Sequence, residues 1–393
     1  MIVQSLTFSR DRFTWLAYFM LAYYAYMQSA LGPLMPFLAG ELNMSYTVCG
    51  LHISAFALGM IIAGSSADRV AQRFGRTRVF WVGGGGMALA GLILIAVRTP
   101  ALTIAASFGM GVIGSYLLVV IQAALSDRHG SNRGIALTEA NVCASVSSMM
   151  APLLISQAEN IAVGWRIALL IGAGAWLLLM LTGRSVPITP EPVRTVQASR
   201  TRRRLPRLFW VLWGVVFLSV AVEWSIAFWA PDFLERVVGV DRVTAAGALT
   251  FFYMAAIFGR LAGSRLTRRL RSDLLLVGAS AVVVAAFPVF WLARTSWLAL
   301  GALFVLGLGI ANLFPLSLSA ATTIGADMAN TASARVSLAG GLAILIVPQV
   351  LGSLADQIGI QTAFLLAGLM GVGVLTLSLF AVWAQRQSPG QPA

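Results

Sequence analysis

Twelve stretches of about twenty mostly apolar residues, each closed by charge or by a proline- or glycine-rich break, leave this chain few folds to choose from. A helix needs about 20 such residues to cross the hydrocarbon of a bilayer. In lipid every backbone N–H and C=O must find its partner within the protein, so only helices and closed barrels span, and these stretches are about twice the length of a barrel strand. They lie near 13–38, 47–69, 79–97, 101–125, 134–157, 163–183, 208–231, 244–266, 274–293, 297–322, 334–355 and 360–384. The expected fold is therefore an all-α polytopic membrane protein with twelve transmembrane helices. Composition agrees: 59% of residues are hydrophobic, 10% are charged and the mean hydropathy is +0.85.

Arginine tests the threading. Of the 27 basic residues, all arginine, 22 fall on the side of the N-terminus when the twelve spans are alternated and 5 fall opposite, at Arg98, Arg166, Arg236, Arg242 and Arg294. A miscounted span would have inverted every later loop and erased the bias. The positive-inside rule then puts both termini in the cytoplasm. A chain free of lysine fits a GC-rich bacterial genome, so the expected location is the bacterial cytoplasmic (inner) membrane. The net charge of +13 is read as topology and not as a nucleic-acid surface, because the arginines sit between apolar segments. Cys49 and Cys143 show neither disulfide nor metal spacing, and no metal or cofactor is expected. The first span is too long for the apolar core of a cleaved signal peptide and is expected to stay in the membrane. Nothing in the pattern calls for a second copy, and a monomer is expected.

The twelve spans divide into two sixes. The stretch 184–207 (RSVPITPEPVRTVQASRTRRRLPR) is polar, proline-rich and basic, and reads as a cytoplasmic linker between an N-terminal bundle, 1–183, and a C-terminal bundle, 208–393. Residues correspond across it at a nearly constant distance: Gly59 with Gly259, Gly109 and Gly111 with Gly307 and Gly309, Pro33 with Pro231, Pro152 with Pro348. That is the signature of parallel repeats related by an axis along the membrane normal. Within each half small residues recur four apart, Gly59, Ala63 and Ala67 in one and Ala255, Gly259 and Gly263 in the other, the spacing that lets two membrane helices approach closely.

The second span runs into a burst of charge, Gly64, Asp68, Arg69, Gly75, Arg76 and Arg78. With the two six-span halves and the basic central loop, this resembles the major facilitator superfamily, whose motif there is approximately Gly-x-x-x-Asp-Arg-x-Gly-Arg-x-Arg/Lys. Four extra residues separate Arg69 from Gly75. The resemblance implies a cytoplasmic gate in which Asp68, Arg69 and Arg76 hold one access state. A narrower stretch, Glu223-Trp224-Ser225-Ile226 with Trp229 and then Phe258-Gly259-Arg260, is similar to the fucose and glucose/galactose permease group of that superfamily.

An ionisable group within a span costs about 2.5–3.5 kcal/mol on insertion scales and so calls for a partner or a task. Two carboxylates qualify as proton-coupling candidates. Glu223 lies near the middle of the seventh span, and Glu139 lies in the cytoplasmic third of the fifth. Arg335 stands at the repeat-related place of Glu139, so the two are also expected as an ion pair of the cytoplasmic gate. Gln28, Asn312 and Gln349 put amides near mid-span, with donors and acceptors for a polar solute, while Tyr23, Tyr26, Trp224 and Trp229 add aromatic faces. These seven are the expected substrate-binding set; Asn141 and Gln122 are placed lower because they sit towards the cytoplasmic end. His52 is expected to be a hydrogen-bonded packing residue, and the prolines of the spans to permit bending.

No phosphate-binding Gly-x-x-x-x-Gly-Lys-Ser/Thr loop occurs, which sets ATP-driven transport aside. Two histidines and two separated cysteines do not make an enzyme's usual metal site, so no enzyme is expected. The leading expectation is a secondary transporter moving a small polar organic solute, sugar-like or another metabolite, by alternating access with proton-coupled import (symport). The fifth span reads Ser147-Ser148-Met149-Met150-Ala151-Pro152, without the glycines that drug–proton antiporters carry there, and this favours import. Proton-driven efflux of drugs or amphipathic metabolites is the alternative, and a non-transporting membrane sensor is a third reading.

Overall fold

The computed structural model describes residues 8–188, 205–325 and 328–387, and these are helical with no strand among the described residues. The N-terminal half contains α1 (Arg12–Ser29), α2 (Leu31–Leu42), α3 (Tyr46–Phe74), α4 (Arg76–Ala96), α5 (Pro100–His129), α6 (Arg133–Asn160) and α7 (Arg166–Gly183). The C-terminal half contains α8 (Arg207–Phe233), α9 (Arg242–Leu266), α10 (Ser272–Leu292), α11 (Ser296–Ile324), α12 (Ala329–Ile358) and α13 (Ile360–Gln387). Ten runs are long and apolar enough to cross a membrane, and one of them, Pro100–Asn160, holds both α5 and α6. The first span is divided into α1 and α2 at Ala30, just ahead of Pro33, whose missing N–H leaves the turn without one of its bonds. The fold is thus the expected all-α one of twelve spans. Most of the linker, 189–204, lies outside the described residues.

Local chemistry sets the ends of the helices. Ser45 caps α3, its hydroxyl accepting from the Val48 N–H at 3.4 Å, and Asp241 caps α9 through the Thr244 N–H at 2.9 Å. Gly75 turns the chain from α3 into α4 at φ +80°, where a side chain would be strained. Pro100 opens α5 at the position where the absent N–H is not needed. α8 does not stop cleanly but runs into a π-helical turn, Leu234–Val238.

Packing within each half follows from small residues. In the N-terminal half α3 and α5 run in the same direction and touch backbone to backbone: a Cβ on Gly111 would land on the Phe56 carbonyl, and one on Gly59 would lie 2.5 Å from the Val112 nitrogen. The C-terminal half repeats the contact between α9 and α11, where a Cβ on Gly307 would lie 2.7 Å from the Phe252 carbonyl oxygen. Phe56 and Gly111 map onto Phe252 and Gly307, both shifted by 196 positions. Residue matching alone reads 198 to 200 for these helices, so the spatial repeat is offset by up to one helical turn from the match of glycines.

Polar contacts orient the remaining helices. Arg128 at the end of α5 donates to Asp11 at the start of α1 (Nε–Oδ2 2.8 Å), and Ser29 at the end of α1 donates to the Ser148 carbonyl of α6 at 3.3 Å. α1 therefore lies antiparallel to α5 and parallel to α6. The end of the molecule that holds the start of α1 and the end of α13 is called the terminal face below, and the other the distal face. The two halves meet where α3 packs on α12, α6 on α9, and α2 on α8 and α9.

Candidate functional site

Between the halves lies a cavity of about 170 Å³. The N-terminal half contributes Gln28 and Ser29 at the end of α1 and Asn141, Ser145 and Ser148 along α6; the C-terminal half contributes Glu223 and Trp224 of α8 and Tyr253 and Arg260 of α9. One contact inside it crosses the interface. Arg260 donates through Nη1 to the Ser145 hydroxyl at 2.7 Å, while its Nη2 lies 3.8 Å from Glu223 Oε1. That second distance is an ion pair but too long for a hydrogen bond. No hydrogen bond to the Glu223 carboxylate, the Tyr253 hydroxyl or the Trp224 indole occurs among the described residues. Gln28 donates only to the Met60 thioether, at 3.6 Å, and Asn141 turns its NH₂ to the Leu137 carbonyl at 2.7 Å, leaving both amide oxygens uncommitted. Polar groups left unsatisfied around a space are groups with capacity for a ligand.

The cross-half contacts run from the distal face to about mid-span. At the distal end the Asp356 carboxylate of α12 accepts the Tyr46 and Thr47 N–H groups of α3, at 2.9 and 2.7 Å. Next along the same seam a Cβ on Gly50 would lie 2.7 Å from Gln349 Oε1, and the Ser54 hydroxyl donates to the Leu345 carbonyl at 2.6 Å. Gly32 of α2 sits directly on the Ala227 carbonyl of α8. Tyr46 also meets the Trp229 ring edge-on, with centroids 5.7 Å apart.

Of the seven residues expected to bind substrate, Gln28 and Trp224 line the cavity, next to Glu223. The others are turned elsewhere. Tyr23 donates to the Gly84 carbonyl of α4 at 3.0 Å and Tyr26 to the Ala168 carbonyl of α7 at 2.8 Å, both buried within their own half. Trp229 is fully buried and donates to the Pro348 carbonyl at 3.1 Å, bracing α8 against α12. Asn312 bonds the Gly259 carbonyl at 2.8 Å and clamps α11 to α9. Gln349 is packed into the distal seam against Gly50, with its Oε1 unpartnered.

The gate residues also sit apart. Arg76 is buried and pairs with Asp127 at the end of α5 at 2.8 Å, a bond inside the N-terminal half. Asp68 and Arg69 are exposed on the last turns of α3 and make no ion pair among the described residues. Glu139 does not face Arg335: it accepts from Arg10 (Nε at 2.7 Å) and from the Tyr18 hydroxyl at 3.0 Å. The Arg335 carbonyl instead takes the Trp213 indole at 2.8 Å. His52 is a packed residue, bonded to the Val48 carbonyl and the Thr103 hydroxyl.

Several polar cavity residues escaped the reading of the sequence, Ser29 among them. Arg260 was counted with the loop arginines but lies inside α9, nearly two turns before its end. Tyr253 and Ser145 carried no signal beyond polarity in an apolar span; the clue available was helical spacing from other polar positions, Tyr253 two turns before Arg260 on α9 and Ser145 one turn from Asn141 and Ser148 on α6. At the distal face Glu41 gathers Arg166, Arg98 and the Trp165 indole. Hydrogen bonds from Arg166 hold its carboxyl below the usual carboxylate range, against the opposing effect of partial burial.

The family model of the Major Facilitator Superfamily matches residues 14–348. The chain is 28% identical to the membrane protein MosC of Rhizobium meliloti over 46% of its own length and 44% of that protein, so it spans less than half of this relative. It is 25% identical to the uncharacterized transporter YycB of Bacillus subtilis over 92% of its length and 89% of YycB. A glucose/galactose transporter of Brucella abortus is 30% identical over 38% of this chain and 37% of that one. Among solved structures, a bacterial homologue of the human lysosomal transporter Spinster in an inward-facing, occupied conformation superposes with a TM-score of 0.78 at 14% identity, covering 98% of this chain and all of that one. The nucleoside transporter NupG superposes at 0.79 and 14%, covering 94% and 100%. At that identity these structures share the fold with this chain.

Proposed function

The chain belongs to the major facilitator superfamily and is a transporter of that family, and from this premise we propose that it imports a small polar organic solute together with protons by alternating access. The observation that carries the reading is the cavity between the halves, with Glu223 in its wall, bound to no hydrogen-bond donor and 3.8 Å from Arg260 of the neighbouring helix. A carboxylate within a span that is neither neutralised by a tight pair nor saturated with donors is suited to gaining and losing a proton. Because it borders the space a solute would fill, the proton and the solute act on the same few side chains.

The distal contacts support the alternating part of this reading. Asp356, Gly50 and Gly32 join the halves on the side away from the termini, so the cavity is shut from that face, and the opposite state requires that seam to part. We place the protein in the bacterial inner membrane with both termini cytoplasmic, on the arginine asymmetry, so that the closed face is the periplasmic one. Import is favoured by the glycine-poor sequence of α6 and by the partial likeness to the glucose/galactose transporter.

The test is uptake of a panel of labelled sugars, organic acids and nucleosides by proteoliposomes of the purified chain under an imposed pH gradient. A transported solute should accumulate above its outside concentration only while the gradient lasts. Glu223→Gln should abolish that accumulation yet leave exchange of labelled for unlabelled solute. Accumulation that persists after the gradient is collapsed, or that Glu223→Gln leaves intact, removes proton coupling at Glu223. Expulsion of solute on acidifying the outside would replace import with efflux.

A further inference from the structure

We propose that the solute is a monocarboxylate bearing hydroxyl groups, of the sugar-acid class, and that Arg260 receives its carboxylate by giving up Glu223. This rests on the transporter reading above and names the substrate class of the same cavity.

Among the described residues the cavity has one cation, Arg260, and one anion, Glu223, and the two belong to adjacent helices of the same half. The elements facing Glu223 add no other charge: α9 supplies Arg260 and the neutral Tyr253, while α1 and α6 supply Gln28, Asn141 and serines. At 3.8 Å the pair is not locked, and Arg260 spends one Nη on Ser145 at 2.7 Å. A guanidinium offers five donors in a planar fork that fits a carboxylate through two parallel bonds. Here most of the fork is without a partner of matching geometry, in a side chain that lines the cavity and keeps 46% of its surface exposed. A neutral sugar has no group that uses a guanidinium this way, and burying a cation beside an uncharged ligand loses its hydration for little return. A phosphate ester brings two negative charges to a single arginine with a carboxylate next to it, and is disfavoured by the same arithmetic.

The rest of the wall suits a hydroxylated body. The free amide oxygens of Gln28 and Asn141 accept from hydroxyls, Ser145 and Ser148 can do either, and Trp224 offers an apolar face to the C–H side of a ring or chain. A volume of about 170 Å³ is roughly that of six waters, close to a cavity that holds one small ring, and it is too small for a disaccharide. When the solute carboxylate occupies Arg260, Glu223 loses its counter-charge and takes a proton from solvent. One anion and one proton then enter together, and the cavity carries the same net charge empty and loaded.

The experiment uses the purified full chain in detergent, with D-gluconate, D-galactonate, D-glucuronate and D-galacturonate as probes against D-glucose, D-galactose and sorbitol. Binding is read by thermal shift and by tryptophan fluorescence, and proton uptake by an indicator dye in weakly buffered solution. At least one acid should bind with half-saturation about tenfold or more below that of its neutral counterpart. Arg260→Gln should raise that value about 10- to 100-fold, the loss expected when charge-assisted bonds of about 1.5–3 kcal/mol go, and Arg260→Lys should recover part of it; size-exclusion profiles of both variants check folding. Wild type should take up about one proton per acid bound and Glu223→Gln none. The proposal is overturned if none of the acids binds, if a neutral sugar binds as well as its acid, or if both Arg260 variants bind the acid as wild type does. Acid binding that depends on Arg260 without proton uptake would uphold the substrate class and sink the coupling at Glu223. Glu223-dependent, proton-driven uptake of a neutral solute would do the reverse.

Discussion

Removing the Asp356 carboxylate should open the distal face. That side chain, on α12 of the C-terminal half, accepts the first two free N–H groups of α3 in the N-terminal half, at 2.9 and 2.7 Å, and so acts as a helix cap supplied across the interface. The bonds exist only while the halves touch at that end, so their loss weakens one access state and not the other. Capping side chains replaced by alanine cost about 0.5–2 kcal/mol, and a negative charge at a helix start adds about 0.3–1. Asp356 is exposed, and solvent screening moves the sum to about 1–2 kcal/mol. The ratio of distally open to distally closed molecules should then rise about 5- to 30-fold in Asp356→Ala, with Asp356→Asn in between. The buried thiol of Cys49, on α3 one turn beyond Ser45, reports it. In a Cys143→Ser background its labelling rate by a membrane-impermeant maleimide scales with the open population, and in that state α12 has moved off, so the Asp356 charge does not enter the chemical step. A rate that stays within twofold of the parent in Asp356→Ala would refute the reasoning.

Other perturbations test the two halves separately. Gly111→Ala should cost about 1–3 kcal/mol, since its Cβ meets the immovable Phe56 carbonyl, whereas Gly64→Ala, with no atom within 4 Å of the added group, should be neutral or gain up to about 1 kcal/mol; melting temperatures in detergent distinguish them. Arg76→Met should lower stability by about 3 kcal/mol, because it strands Asp127 at the end of α5, with no loss of cross-half contact; denaturant titration of the purified chain reads the first and Cys49 labelling the second. Glu41 has a folded pKa below its unfolded one, so its contribution is complete above the ordinary carboxylate range and disappears as pH falls through the depressed value. Glu41→Gln should therefore melt below wild type at neutral pH and converge with it in acid.

Depth in the membrane was legible from the sequence, and direction around the helix was not. Counting from the charged breaks put Glu223 and Gln28 near mid-span, and both, with Trp224, line the cavity. Tyr23 and Tyr26 were grouped with them as aromatic faces, yet five and two residues from Gln28 carry a side chain about 140° and 200° around the helix, and both hydroxyls end on carbonyls of α4 and α7. In a soluble protein polarity marks the face that sees water. Within a bilayer the lipid face and the packed face are both apolar, so α1 has almost no periodic contrast to read, and a tyrosine that bonds a neighbouring backbone looks the same as one that bonds a solute. Arg260 was missed for a related reason: although it falls within the span 244–266, it was tallied with the loop arginines that set the orientation. The small-residue repeats carried through to contacts because glycine packing depends on spacing along one helix and needs no knowledge of its partner.

The same contrast bears on how such a molecule can move. Inside each half the seams are backbone against backbone, as at Gly111 on Phe56 and Gly307 on Phe252, where separation by even an ångström forfeits packing with nothing to replace it. Between the halves the described bonds are few and polar: two to Asp356, one from Ser54 to the Leu345 carbonyl, and one from Arg260 to Ser145. Each is worth about 1 kcal/mol net, because water offers partners to the same groups once the seam parts. Rocking the halves as rigid bodies parts these few bonds and the close contacts of Gly32 on Ala227 and Gly50 on Gln349 at one end of the seam, while bending either half would break its core. Arg260 is the one of these contacts that borders the cavity, and a solute that takes the rest of its fork pulls on the same side chain that holds Ser145. Filling the site thus draws on the cross-half bond nearest mid-span, and this gives a bound solute differential affinity for the two access states, without which it could not shift their populations.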